Sequence, residues 1–187
     1  MLFLLHHLEQ YFGLLDCGWY EVDGEKLPFP IWKFNHGPAD GTVAFTTAGL
    51  SEHPLPSSSG GEVIRHELVI FGREDERLDL LPAILVQVGE TILRAGRALL
   101  YGDVLGPSGP IIPGSELTAF YVTGHAYMPD SFNVVHDDQG EHLILLWLIP
   151  ITDGEASFCR EQGAKKFEAQ IARVDPDFLD WDRPSFL

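Results

Sequence analysis

Basic residues are scarce in this chain. Its 187 residues hold 12 Lys and Arg against 28 Asp and Glu, a formal net charge of −16 at pH 7. A field of that sign repels phosphate, so nucleic acid and anionic membrane surfaces are poor partners and a basic protein is a favoured one. Cysteine is scarce too. Cys17 and Cys159 are too few for a secreted disulfide scaffold, which points to a reducing compartment, the cytoplasm, with both thiols free. Long apolar runs are missing: Leu143–Ile149 stops at Pro150, far short of the ~20 residues that cross a bilayer. Met1–Leu5 is apolar but lacks a basic segment and runs straight into His6, His7 and Glu9, unlike a signal peptide. The Gly/Pro loop Gly106–Gly114 has no Lys, so it is not a phosphate-binding P-loop.

What is present is enough for one core. The hydrophobic fraction is 45%, and a chain of this size buries roughly 70% of its unfolded surface. Leu2, Leu5, Leu8, Tyr11 and Phe12 recur at helical spacing up to Gly13. A turn-rich stretch, Asp23–Pro30, precedes two β-rich segments, Ile31–Phe34 and Thr42–Thr47. His53–Gly61 is a Pro/Ser/Gly loop, and Glu62–Phe71 alternates like a strand buried on at least one side. Leu78–Leu100 carries a long helical stripe through Leu81, Leu85, Val88, Ile92 and Leu99. Thr118–Thr123, Phe132–His136 and His142–Ile149 read as strands, the last covered on both faces and closed by Pro150. Asp153–Arg173 reads as a final helix capped by Asp153 or Thr152, before an acidic and aromatic tail. The order implies an α/β (α+β) single domain over residues 1–187, a central mixed or largely antiparallel sheet flanked by helices.

Five stretches, in this order and spacing, resemble a suppressor-of-fused domain. They are Phe45-Thr46-Thr47-Ala48-Gly49-Leu50-Ser51; Arg65-His66-Glu67-Leu68-Val69-Ile70; the long helix leading into Tyr101-Gly102-Asp103; Leu148-Ile149-Pro150-Ile151-Thr152 with Glu155 and Gly163; and Asp182-Arg183-Pro184-Ser185. The resemblance runs from about Tyr11 onward and is to the bacterial single-domain branch. It implies a suppressor-of-fused-like α/β fold, no enzymatic activity, no cofactor, and a protein partner. For a bacterial member that partner is a toxin domain, and the chain is its immunity protein. A regulatory module that binds a peptide by sheet-edge addition is the alternative, as in the animal members. The resemblance also places Asp103 in the partner groove, because an acidic residue of this region helps hold the bound peptide in the animal members.

Other side chains invite chemistry of their own. His136 and His142 flank Asp137, Asp138 and Glu141, a dense set of potential metal ligands, but Asp137-Asp138-Gln139-Gly140 has hairpin-turn composition, and no metal is expected. Ser131 with Asp130 and His125 or His136 sketches a small hydrolase but lacks a nucleophile elbow. Asp175, Asp177, Asp180 and Asp182 alternate with Phe178 and Trp181. Carboxylates for steering and aromatics for burial would anchor a basic partner, toxin domain or peptide. The bland reading is a solvated tail pinned by its aromatics.

Overall fold

The computed structural model describes the chain apart from residues 23, 58, 59, 61 and 138 and the side chain of Val22. Part of the His53–Gly61 loop and Asp138 of the acidic turn therefore lie outside the described residues. Helix α1 (Leu2–Phe12) leads into β1 (Cys17–Val22), β2 (Glu25–Phe34) and β3 (Thr42–Thr47). A 3-10 turn at Leu50–Glu52 and two short strands, β4 (Leu55–Pro56) and β5 (Val63–Ile64), precede β6 (His66–Arg73). A second 3-10 turn (Glu76–Leu80) opens α2 (Leu81–Ala95), followed by β7 (Val104–Leu105), β8 (Leu117–Thr123) and β9 (Val134–His136). Strand β10 (His142–Thr152) and helices α3 (Asp153–Gln162) and α4 (Ala164–Val174) complete the order.

The main sheet runs β1-β2-β3-β6-β10-β8-β7, with β9 beside the start of β10 and β4-β5 forming a separate pair. It is mixed: β6 and β10 pair in parallel, and the other described ladders are antiparallel. Alternation along the strands feeds two cores. Leu145, Trp147, Ile149 and Ile151 of β10 face α1, α3 and α4 with Leu8, Phe12, Cys159 and Phe167. Leu146 and Leu148 face α2 with Leu81, Leu85 and Ile92. A strand covered on both faces must be apolar at nearly every position, which is why β10 reads as an unbroken run.

Several boundaries differ from the expectation, each for a local reason. Asp23–Pro30 is not all turn, since β2 starts at Glu25. Pro28 and Pro30 fit because the β1–β2 ladder skips there, from Trp19↔Ile31 to Glu21↔Lys26, so no amide is missed. The long helix ends at Ala95, where the Gly96 amide meets the Ile92 and Leu93 carbonyls, not at Leu100. Phe132 lies in a 3-10 turn before β9. Pro150 does not close β10. The strand continues to Thr152 against β8, while β6 covers only Ile144–Trp147, so the proline faces no ladder on that side. The final helix is two helices, broken at Gly163 with φ 85°, a backbone region that glycine reaches without strain.

The aromatics of the tail pin it to the body, as the bland reading has it, while Asp175, Asp177 and Asp182 stay exposed. Phe178 and Leu179 enter one core and Trp181 the other. The Trp181 indole donates to Phe71 O at 3.0 Å and the Arg73 amide to Leu179 O at 3.0 Å. The segment thus wraps the end of β6 and joins the two cores.

Two histidines are buried in these cores. Burial pulls His66 down to about 4, and pulls His125 down to about 3 against a weak backbone contact at Leu145. In the unfolded chain both titrate near 6.5, so below that pH the unfolded state holds more protons. Stability is therefore complete above pH 6.5 and falls as pH drops toward the folded values. The two rings together should cost about 3 kcal/mol between pH 6.5 and 5, as each contributes up to about 1.4 kcal/mol per pH unit. Urea unfolding of wild type and His66→Phe at both pH values checks this. The variant should lose about half of the slope, and parallel profiles would contradict it.

Candidate functional site

A groove of ≈ 240 Å³ opens between α2 and the Gly106–Gly114 loop. The helix contributes Ile84, Val88 and Thr91, the loop Pro110 and Ile111, and the sheet Leu105 and Phe120. The amphipathic stripe of α2 is wider than the sheet can cover, and its uncovered margin forms one wall. The other wall is a loop without helix or strand, held at many points. The Ser108 amide donates to Thr118 O at 3.1 Å and the Ile111 amide to Leu117 O at 2.9 Å. Arg160 of α3 donates to Gly106 O. Arg77 reaches Pro113 O at 3.4 Å, and Ser115 Oγ donates to Trp181 O at 2.5 Å. A loop tied this way presents a preformed surface, so little ordering cost remains for binding.

Asp103 stands two residues before Leu105. Its Oδ2 accepts from the Leu100 amide at 3.1 Å and lies 3.6 Å from Arg97 Nη1. Its backbone carbonyl accepts from the Val122 amide at 2.9 Å. It shapes the turn that delivers β7 to the sheet's edge, and its half-buried carboxylate sits beside the strand that lines the groove.

The tail carboxylates divide. Asp177 pairs with Arg73 at 2.5 Å and accepts from the Leu179 amide. Asp182 takes Arg77 in a bidentate grip at 2.9 and 2.6 Å, and Arg77 also holds Asp75 at 2.6 Å. Because the same Arg77 reaches Pro113, Asp182 helps brace the groove loop. Asp180 Oδ1 accepts from the Asp182 amide at 2.9 Å. Asp175 caps the end of α4 at φ 52° and, with Asp177 and Tyr127, lines an open cavity of ≈ 400 Å³. Among the described residues Asp175 has no ion-pair partner.

The residues that carry the resemblance prove to be braces. Glu67, fully buried in β6, accepts from Thr47 Oγ1 (2.5 Å), the amides of Gly49, Leu50 and Ser51 (2.8, 3.2 and 3.0 Å) and Ser51 Oγ (2.7 Å). Burial pushes this carboxyl above its usual range, and the donors of Thr47, Ser51 and Gly49 pull against that. Gly49 allows the turn with φ 129°, which an L side chain adopts only with strain. At the other end of the sheet Glu155 takes Arg183 in a bidentate pair, both contacts 2.8 Å, buried on both sides. Glu155 also completes a capping box with Thr152 and accepts from the Phe186 amide. Burial pushes the Glu155 carboxyl upward, but Arg183 and the amides hold it below its usual range. The guanidinium lies 5.2 Å from the ring centroids of both Phe178 and Phe186 and donates to Pro150 O at 2.9 Å.

Several side chains of the alternative chemistry are engaged elsewhere. Ser131 Oγ lies 3.0 Å from the Tyr11 hydroxyl, whereas His125 is packed edge-on against Phe132 at 4.6 Å and stacked on Trp147. Asp137 pairs with Arg65 at 3.0 Å and accepts from the Gln139 and Glu141 amides, as a turn residue does. His136 and His142 lie opposite each other on β9 and β10 with ring centroids 6.4 Å apart. Among the described residues no cluster of His, Cys, Asp or Glu stands where it could hold a metal ion. No described helix is long and apolar enough to cross a membrane.

The site thus sits on a braced mixed sheet with helices on both faces and an open groove at one edge. The chain belongs to the suppressor of fused protein family, whose model matches residues 26–184. It is similar to a suppressor-of-fused homologue from Neisseria gonorrhoeae, with 17% identity, TM-score 0.79, and coverage of 100% of this chain and 96% of that one. It is also similar to a chain of the Sufu–Fu complex (14% identity, TM-score 0.74, 98% and 90% covered). With Drosophila Suppressor of Fused the identity is 14% and the TM-score 0.72; 98% of this chain aligns with 50% of that one, so it spans half that protein's length. No curated protein matches the chain.

Proposed function

We propose that this chain is a non-enzymatic binding module of the cytoplasm that neutralises a basic protein partner, a cognate toxin, by holding one of its segments in the groove between α2 and the Gly106–Gly114 loop. The observation that carries this reading is the groove itself: apolar walls with a rim braced by Arg77, Arg160 and Ser115. The net charge of −16 favours a basic partner and speeds its approach. Asp103 supplies a carboxylate beside the groove, and Asp175, Asp177, Asp180 and Asp182 extend the acidic surface. Membership in a family with a member in a Sufu–Fu complex supports a protein as ligand. A second reading, a regulatory module that adds a partner peptide to the edge of β7, is favoured by one observation: Leu105 of that edge strand lines the groove.

Co-expression with the product of the neighbouring gene tests the toxin reading. Wild type should restore growth, whereas Thr91→Arg, which places a long cation into the groove from an exposed helix position, should fail to do so at an unchanged melting temperature. Equal protection by both would remove the groove from the account. A neighbour harmless to growth that binds the groove would favour the regulatory reading.

A further inference from the structure

Strand β1 forms the opposite end of the sheet, and among the described residues it has no neighbour on its outer side. An edge strand is an open template, and proteins usually blunt it with proline or lysine. Cys17-Gly18-Trp19-Tyr20-Glu21-Val22 contains neither. Cys17 and Glu21 are exposed, and so is half of Tyr20.

Next to this edge lies an apolar cleft of ≈ 170 Å³ lined by Trp19, Leu27, Pro82, Ala83 and Val86. It forms where Trp19 leans over Phe45, ring centroids 6.3 Å apart, toward the first turn of α2. Leu80, at the entry to α2, is 45% exposed. The charges around the strand are mostly negative. Asp16 precedes it, Glu21 lies on it, Glu25 faces Val22, and Asp79 is near enough to act on the Cys17 thiol. Two basic groups are nearby: Lys26 is in register with Glu21, and Lys33 lies 5.8 Å above the Phe45 ring centroid.

We propose that β1 and this cleft form a second docking surface, which takes up an extended peptide of alternating apolar and basic residues as an added strand. Main-chain hydrogen bonds would come from the β1 edge, one apolar side chain would fill the cleft, and lysines or arginines on the opposite face would meet Glu21 and Asp16, while Glu25 and Asp79 add to the negative field. A second copy of the chain fits less well, since pairing β1 with itself brings the same carboxylates together. The β1 edge lies at the far end of the sheet from β7, and the cleft and the groove take different residues of α2 (Ala83 and Val86 against Ile84, Val88 and Thr91), so either proposal can fail without the other.

The test uses the full chain and a fluorescent octapeptide alternating lysine with valine, followed by anisotropy and by hydrogen exchange. The lysine peptide should bind at least about tenfold more tightly than its glutamate counterpart and more tightly than a version with two valines replaced by proline, which keeps the charge but cannot form a strand. Binding should slow exchange of the Cys17–Val22 amides, and Ala83→Arg, an exposed helix position in the cleft, should weaken it by about tenfold or more. Equal binding of the proline peptide, unchanged binding by Ala83→Arg, or protection elsewhere would overturn the proposal. So would concentration-dependent protection of β1 without peptide, which would assign the edge to a second copy.

Discussion

Arg183→Met should destabilise the fold by about 4 kcal/mol, because it leaves the Glu155 carboxylate buried without its counter-charge. Both partners of this pair are out of water, with side-chain exposures of 5% and 0%. The variant also removes the guanidinium from between Phe178 and Phe186 and from Pro150 O. Urea unfolding measures the loss. The double change Arg183→Met with Glu155→Gln removes both charges and should cost clearly less than the sum of the single changes. A single-variant loss below about 1 kcal/mol, the range of an exposed pair, would show that the pair is not the brace described here.

Glu67→Ala should cost a similar amount, about 4 kcal/mol, through a different cause: buried donors lose their acceptor. The amides of Gly49, Leu50 and Ser51 and the hydroxyls of Thr47 and Ser51 all converge on this carboxylate. Glu67→Gln keeps the volume and one acceptor oxygen, so about 2 kcal/mol is expected for it. Hydrogen exchange at Gly49–Ser51 should rise in both variants. Unchanged exchange at those amides would mean that the turn does not depend on Glu67.

These two carboxylates show how far the sequence could be read. α1, β3 and the apolar run of β10 were legible because their residues repeat at the period of the element and both faces of β10 are buried. Pro150 misled, because the rule against proline in a sheet presumes a ladder on both sides, and β6 stops at Trp147. The break at Gly163 was hidden by helical composition continuing through Lys165 and Phe167. The Glu155 brace had a signal in Thr152-x-x-Glu155, a capping box, but its pairing with Arg183, 28 residues on, is a fact of packing. Glu67 had a weaker one: it shares a strand face with Val69 and Phe71, which are both buried. The alternating acid and aromatic residues of the tail suggested a binding surface, and in the fold the aromatics are core, while Asp177 and Asp182 meet Arg73 and Arg77. The resemblance pointed to a partner groove near Asp103, but the walls of the groove could not be read, since they come from Ile84 to Phe120 and meet only when β7 and β8 close the sheet.

The most direct measurement is the affinity of the proposed partner, the purified product of the neighbouring gene, for wild type, Asp103→Arg and Thr91→Arg, with a melting temperature for each. The account predicts that Thr91→Arg binds too weakly to measure while melting like wild type, and that Asp103→Arg loses about 2 kcal/mol of affinity, roughly thirtyfold in Kd, and also melts lower, because the Leu100 amide and Arg97 lose their acceptor. Wild-type association should slow as salt is raised. If Thr91→Arg bound the partner as tightly as wild type, the groove between α2 and the Gly106–Gly114 loop would not be the site.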